Sequence, residues 1–338
     1  MTTTEPAKPA TRENKPDDMM WTLVQRLVMH RESGLVAALV VAVALFAVTA
    51  PNFLSTQNGF NILRQAAFVG IIALGMTLVI VAAEIDISVG ALVALTSALI
   101  GVLHRDLNWP IALILISVLV VGAVSGTAVG LLRSYLAIPT IISTLALFLA
   151  LRGAAEFMTD ASPIPIDSAF LSDVLGGEIA GAPVPGVIFV LLCFAVWLTS
   201  TRTRLGREVY AVGGNAVAAR TSGINVARVR VMVFAATGVL AALTGILLTA
   251  RIGAASSSIG QGMEFEVIAA VIIGGTALSG GRGTVFGTVV GVLFVTVLGN
   301  ALVLYGVNSF AQDIVRGAVV LLAVVLSSVQ SRAYRIRD

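Results

Sequence analysis

The sequence predicts an all-α polytopic membrane protein with about ten transmembrane helices, some of them broken, and with both termini in the cytoplasm. The first observation is composition: 57% of the 338 residues are hydrophobic, 12% are charged and the mean hydropathy is +0.99. A soluble domain carries roughly 25% charged residues. The second is a series of apolar runs of about 20 residues, the length at which a helix spans a bilayer and satisfies its own backbone groups.

Polar or turn-forming segments separate these runs. Pro51 closes the first run, and the polar stretch after it predicts a short interfacial helix near 61–65. Trp109 is a predicted interface anchor before the fourth run, and 133–135 forms a predicted tight turn after it. The predicted spans cover residues 34–50, 66–83, 87–103, 110–132, 136–157, 186–200, 231–250, 265–278, 284–305 and 314–328.

The placement of Lys and Arg is the third observation and predicts the orientation. With the N-terminus inside, sixteen of the 21 Lys and Arg fall on inside segments, six of them in the loop 201–230. The long loop 159–185, on the outside, holds four prolines and four acids but no Lys or Arg. Because basic residues are retained on the cytoplasmic side of a membrane, this asymmetry predicts that both termini are cytoplasmic.

The predicted organisation has three parts. Residues 1–33 form a partly disordered cytoplasmic tail, with a short interfacial helix at 21–30. Residues 34–329 form the membrane domain, which includes the cytoplasmic loop 201–230. Residues 330–338 form a basic cytoplasmic tail.

Several classes of function are excluded by what the sequence lacks. Lysine occurs only at Lys8 and Lys15, so the chain has no GxxxxGK[ST] phosphate-binding loop, and any use of ATP requires another subunit. One cysteine and two histidines leave no metal-ligand spacing, and we expect no cofactor, no metal site and no catalytic residues. The net charge of +3 comes from arginines between spans and does not indicate nucleic-acid binding.

Two polar breaks interrupt apolar runs, and both are candidate parts of a translocation path or gate. In the first, at 84–90, Glu84 and Asp86 would be costly in the bilayer unless they face a cavity or cap a helix. Asp86, Ser88 and Gly90 suit a helix N-terminus, but substrate contact and a proton relay remain open. The second, at 273–284, is glycine-rich and includes Thr276. It is either a structural turn or the counterpart of the first, since paired broken segments flank the path in many transporters.

Polar residues inside the spans are further candidates for the path. Most Ser and Thr in spans bond to their own backbone or to a neighbouring helix. Arg152 lies in the middle of a run, and Glu156, four residues on, is its predicted partner. The candidates outside the two breaks are Thr144, Arg152 and Asn300.

The loop 205–230 is a polar, basic island in an apolar chain. Within it, 215–222 predicts a short amphipathic helix, with Asn215 as its cap and Gly223 as its stop. An ordinary positive-inside loop does not require such signals, so we interpret this helix as a docking site. The predicted coupling residues are Asn215, Ala218, Ala219, Arg220, Ser222, Gly223 and Ile224.

These motifs together resemble the permease subunits of bacterial ribose-type ABC sugar importers. The family motif Gly-Gly-Ile-Asp-Leu-Ser-Val-Gly is matched by 85–90 (IDISVG), but Ala83 and Glu84 replace the glycine pair. The resemblance runs from about residue 53 to residue 325. It also includes 61–65 (NILRQ), 138–140 (IPT), 144–145 (TL), 151–153 (LRG), 205–207 (LGR), 213–215 (GGN), 218–219 (AA), 222–224 (SGI), 274–275 (GG) and 278–281 (LSGG).

The resemblance implies a permease of the bacterial inner membrane that carries a monosaccharide or similar small polyol. It implies two permease chains, expected to be a homodimer in membrane lipid. A cytoplasmic ABC ATPase would grip the docking helix, and a periplasmic sugar-binding protein would deliver the sugar. The alternatives are an ABC permease for branched-chain amino acids or nucleosides, and a proton-coupled secondary transporter that uses Glu84 and Asp86.

Overall fold

The computed structural model describes residues 31–335, and twelve α-helices lie within that range. The predicted interfacial helix at 21–30 lies outside the described residues. The helices are α1 (Arg31–Thr49), α2 (Thr56–Val81), α3 (Val89–Arg105), α4 (Ile111–Tyr135), α5 (Thr140–Thr159), α6 (Val184–Arg202), α7 (Arg204–Gly214), α8 (Ala216–Thr221), α9 (Val226–Ile252), α10 (Met263–Ile273), α11 (Val285–Leu304) and α12 (Ser309–Arg335).

Six of these helices are long and apolar enough to cross a membrane: α2, α4, α5, α6, α9 and α11. The prediction of ten spans additionally counted α1, α3, α10 and α12. Helices α1 and α3 are apolar but short, with apolar stretches at Ser33–Thr49 and Val89–Arg105. Helix α10 has 11 residues, so at 1.5 Å per residue it spans about 16 Å, roughly half of the hydrocarbon core.

Helix α2 is the centre of the bundle. Of its most apolar 18-residue window, 89% is buried, compared with 22% for α4 and α5 and 28% for α6. Ser55 caps α2 by accepting a hydrogen bond from Asn58 N at 3.2 Å. Helices α6, α9, α10 and α11 pack around α2, and α4, α5 and α6 present most of their apolar surface outward, as a lipid-facing layer must.

Helices α4 and α9 pack closely along a stripe of glycines on α4. The stripe consists of Gly122, Gly126 and Gly130, four residues apart, and it faces Val231, Phe234 and Gly238 of α9. A Cβ added at Gly126 would overlap the backbone carbonyl of Phe234. Small residues at this spacing let two membrane helices approach until their backbones touch.

Replacing Gly126 with leucine is therefore expected to force α4 and α9 apart and to destabilise the fold by about 1–3 kcal/mol, the usual cost of overpacking. Thermal unfolding of the purified chain in detergent would measure the change. Gly153→Leu in α5 is the matched control, because an added Cβ there meets nothing within 4 Å. Equal unfolding midpoints for the two variants would contradict this packing.

The end of the bundle opposite to α7 and α8 carries two small β-ladders. Strand β1 (Ile164–Pro165) pairs antiparallel with β4 (Ala254–Ala255), with Ile164 opposite Ala255. Strand β2 (Glu178–Ile179) pairs with β3 (Ala182–Pro183), and a π-helix at Phe170–Leu175 precedes β2. The β1–β4 ladder therefore joins the two predicted loops, at 159–185 and at 251–262, by backbone hydrogen bonds.

Several predicted boundaries differ from the structure. The interfacial helix predicted near 61–65 is wrong, because those residues continue α2 without interruption. The turn predicted at 133–135 is the last turn of α4. Helix α9 begins at Val226, five residues earlier than predicted, and α12 continues to Arg335. In each case polar residues near a helix end were taken as a loop, although packing and capping keep them helical.

Candidate coupling and translocation site

The α7–α8 segment is the polar island of the sequence, folded into two short helices. Thr203 caps α7 by accepting a hydrogen bond from Gly206 N at 3.2 Å. Arg204 and Glu208 pair along α7 at 2.6 Å. The sequence did not predict α7, although its amphipathic spacing is clear once Val209, Val212 and Gly213 are seen to be buried.

Helix α8 has the predicted cap and stop. The Asn215 side chain accepts hydrogen bonds from Val217 N and Ala218 N, each at 3.0 Å. Gly223 follows the helix with a φ of +83°, and its N–H donates to Arg220 O at 3.0 Å. Ala219 is buried, whereas Val217 is 75% exposed. The predicted coupling residues that are exposed are Asn215, Ala218, Arg220, Ser222 and Gly223, and Ile224 is partly buried.

Helix α7 lies directly on two breaks in the bundle: break 1 (residues 82–88), between α2 and α3, and break 2 (residues 274–284), between α10 and α11. The carbonyl of Val81, the last residue of α2, accepts a hydrogen bond from Gly281 N at 2.8 Å. A Cβ added at Gly280 would overlap Ala83 of break 1, so the two breaks are in contact. A Cβ added at Gly213 would overlap the Val81 carbonyl. Helix α7 is therefore in contact with both breaks.

Tyr210 provides a second contact between α7 and break 2. Its hydroxyl donates a hydrogen bond to Gly283 O at 2.7 Å. Burial raises the pKa of Tyr210 above its ordinary value of 10.0. The phenol therefore stays protonated at neutral pH, and it can keep donating this bond.

Glu84 in break 1 is buried and holds three partners. Its Oε1 accepts a hydrogen bond from Arg133 Nε at 2.9 Å, and Arg230 Nε lies 2.7 Å from the same oxygen. Its Oε2 accepts a hydrogen bond from Thr140 at 2.9 Å. We call this group the Glu84 cluster; it joins break 1 to the end of α4 and the starts of α5 and α9. Arg220 of α8 is near enough for its charge to act on Arg230.

Asp86 is buried and forms the turn that starts α3. Its Oδ1 accepts hydrogen bonds from Ser88 N at 2.9 Å and from Ser88 Oγ at 2.6 Å. The carboxylate therefore holds Ser88, the residue before α3, but bonds none of the free N–H groups of the helix itself, so the predicted cap is not formed. Ser88 is the N-cap residue of α3, but its hydroxyl is used by Asp86 and makes no cap bond to the helix.

The remaining candidate residues are spread along the bundle. Thr144 donates to Thr140 O within α5 at 2.8 Å. Buried Asn300 exchanges two hydrogen bonds with Asn58, at 2.8 and 3.0 Å, toward the opposite end. Thr276 Oγ1 is buried in break 2 without a hydrogen-bond partner in the described part of the chain.

Arg152 does not pair with Glu156 in the described part of the chain, contrary to prediction. It instead donates a hydrogen bond to the Ser257 carbonyl, in the loop before α10. The i,i+4 spacing placed the two charges on one helix, but the guanidinium of Arg152 bonds to a carbonyl of another segment. The structure thus brings Glu84, Asp86 and Ser88 together and does not bring Arg152 or Asn300 to them.

The sequence did not predict that Arg133 and Arg230 are the ion-pair partners of Glu84. Arg133 follows one apolar run and Arg230 precedes another, and although a charged group near the membrane usually has a partner, nothing in the sequence shows which acid that partner is. Sequence reasoning also missed Glu264, which is buried at the start of α10 and lies against Gly90 of α3. The first turns of these two short helices are therefore in contact inside the bundle.

A helical bundle with two unwound breaks meeting inside it defines a multi-pass membrane protein of the transporter class. The chain belongs to the family described as branched-chain amino acid transport system / permease component, whose model matches residues 58–324. No solved structure matches the chain.

Three relatives illustrate the match. The chain is 48% identical to the probable ABC transporter permease protein YphD of Escherichia coli (strain K12), over 92% of this chain and 93% of the relative. It is 40% identical to the ribose import permease protein RbsC of the same strain, over 86% and 92%. It is 34% identical to that strain's xylose transport system permease protein XylH, over 88% and 92%. The predicted resemblance to ribose-type permeases is confirmed, and the chain is a transport permease subunit.

Proposed function

We propose that this chain forms the translocation path of an ABC importer for a monosaccharide or similar small polyol. The single observation that carries the proposal is the α7–α8 segment: an exposed, capped helix whose supporting helix lies on both breaks of the bundle. The ribose and xylose permeases among its relatives support the substrate class. The chain has no phosphate-binding loop, so ATP hydrolysis belongs to a separate cytoplasmic ATPase.

In this proposal the complete transporter has two permease chains, forming a homodimer in the bacterial inner membrane. Both termini face the cytoplasm, and α1, α3, α10 and α12 complete a set of ten spanning or partly spanning segments. The ATPase binds the exposed face of α8 through Asn215, Ala218, Arg220, Ser222 and Gly223, with Ile224 partly buried beside them, while the predicted contact Ala219 is buried and packs α8 onto the bundle. A periplasmic binding protein delivers the sugar to the opposite end.

The proposed mechanism transmits the closure of the ATPase through contacts described above. Movement of α8 carries α7, because Asn215 joins the two helices. Helix α7 then displaces break 1 through Val81 and break 2 through Gly283. The Glu84 cluster keeps break 1 attached to α4, α5 and α9 during this movement. Asp86, Ser88 and Thr276 lie in the displaced segments, while Thr144, Arg152 and Asn300 belong to helices that flank them.

A second candidate substrate class is branched-chain amino acids, which the description of the family favours. The chain reconstituted in liposomes with its ATPase and binding protein distinguishes the two, with D-ribose, D-xylose and L-leucine as labelled probes. We expect ATP-dependent uptake of one of the sugars and none of leucine. Uptake of leucine alone would contradict the sugar assignment.

A further inference from the structure

The end of the bundle that carries α7 and α8 holds more positive charge than its own acids balance. Between residues 202 and 230 the chain has six arginines and one acid, Glu208. Glu208 is already paired with Arg204 along α7. The other exposed arginines of this segment make no ion pair with any described residue, and they are Arg202, Arg207, Arg220 and Arg228.

The Glu84 cluster lies at this end and does not remove the excess. One carboxylate, that of Glu84, is shared by the guanidinium groups of Arg133 and Arg230. The charges that act on Arg230 are those of Glu84, Arg133 and Arg220. Three guanidinium groups and one carboxylate give this group a net charge of +2, and Arg220 is its most exposed member.

Arg220 connects this charge to the exposed face of α8. It lies in the last turn of α8, three residues after Val217, and side chains at that spacing are neighbours on a helix surface. A partner that covers Val217 therefore also covers Arg220. Taking a guanidinium out of water without a counter-charge is costly, so a partner that binds this face has to supply an acid.

The exposed face of α8 fits a protein better than a lipid surface. A helix that lies in a bilayer surface needs a broad apolar face beside its basic residues. Within α8, Val217 is the one large apolar side chain that is exposed, and its exposed neighbours are the small or polar residues Asn215, Ala218 and Thr221. The positive charge of Arg220 therefore stands beside a surface of the kind that a folded partner covers.

We infer that the cytoplasmic ATPase binds Arg220 through a carboxylate of its own, an aspartate or a glutamate that lies over the last turn of α8. This carboxylate is a second counter-charge for the group formed by Glu84, Arg133, Arg220 and Arg230, and it offsets the repulsion between Arg220 and Arg230. The inference rests on the proposed function and deepens it, because it names the charge that the partner presents at this site.

The test measures the affinity of the purified permease, in a neutral detergent, for the purified ATPase of the same transporter at low and at high salt. Arg220→Glu places a negative charge against the carboxylate of the ATPase. We expect the affinity to fall at least tenfold at low salt, and to fall less at high salt because salt screens exposed charges. Arg220→Gln removes the charge without reversing it, and we expect a smaller loss with the same dependence on salt.

Arg202→Glu is the matched control. Arg202 is also exposed and unpaired among the described residues, but it ends α6 and lies outside α7 and α8. We expect this variant to keep an affinity within about threefold of the unmodified chain, since an exposed charge contributes little.

Equal affinities of Arg220→Glu and Arg202→Glu would overturn the inference, and so would a loss of affinity that is the same at low and high salt. A loss seen only in nanodiscs that contain phosphatidylglycerol, and not in neutral detergent, would assign Arg220 to anionic lipid and would also overturn it. Val217→Asp separates the inference from the proposed function. If Val217→Asp loses the ATPase while Arg220→Glu keeps it, α8 remains the docking helix and only the acidic contact fails; if both keep it, the docking assignment fails as well.

Discussion

Replacing Glu84 with glutamine is expected to lower the free energy of unfolding by about 3–5 kcal/mol, the usual cost of removing one partner of a buried ion pair. Glu84 is 4% exposed, and its carboxylate is the counter-charge for both Arg133 and Arg230. Without it, two partly exposed guanidinium groups lose their shared counter-charge and repel each other. The change would also detach break 1 from α4 and α9.

The midpoint of thermal unfolding of the purified chain in detergent measures this effect. Glu178→Gln is the matched control, because Glu178 pairs with Arg64 at 3.4 Å but is 47% exposed. An exposed pair contributes about 0–1 kcal/mol, so the control is expected to unfold close to the unmodified chain. If Glu84→Gln unfolded at the same temperature as Glu178→Gln, the Glu84 cluster would not stabilise the fold.

The second large effect is expected from Val217→Asp on α8. Val217 is the large exposed apolar side chain of this helix, and a well-packed anchor of this kind contributes about 2 kcal/mol or more to a protein interface. A carboxylate there would have to lose its water on docking. We expect the affinity for the cytoplasmic ATPase to fall more than tenfold, and ATP-driven uptake to fall with it. Co-purification of the ATPase with the permease measures the affinity.

Leu54→Asp is the control for this substitution. Leu54 is also 75% exposed, but it lies in the turn before α2, at the opposite end of the bundle. The Leu54→Asp substitution introduces the same charge at an equally exposed position and leaves α8 unchanged. Retention of the ATPase by Val217→Asp, at the level seen with Leu54→Asp, would show that α8 is not the docking helix.

The features that could be predicted from the sequence are those with local signals. The cap at Asn215 and the stop at Gly223 are encoded within nine residues of chain, and α8 has both. The positions of most spans follow from their apolar runs, because a membrane helix must carry its own hydrogen bonds.

The features that could not be predicted depend on segments far apart in the chain. Arg133 and Arg230 lie 49 and 146 positions from Glu84, and no local pattern relates them to it. Arg152 was assigned to Glu156 because helical spacing shows only neighbours on the same helix. Gly126 lies against the backbone of α9 because of how the two helices pack. The sequence of α4 alone does not show which helix packs against it.

The central claim is that this chain forms a path but has no energy source of its own, and one measurement tests it directly. The purified chain is placed in liposomes and its uptake of labelled D-ribose and D-xylose is followed under an imposed pH gradient, then with ATPase, binding protein and ATP. We expect no uptake by the chain alone under the gradient, and uptake once all three components are added. Uptake by the chain alone, driven by the pH gradient, would contradict the account and would favour a proton-coupled transporter.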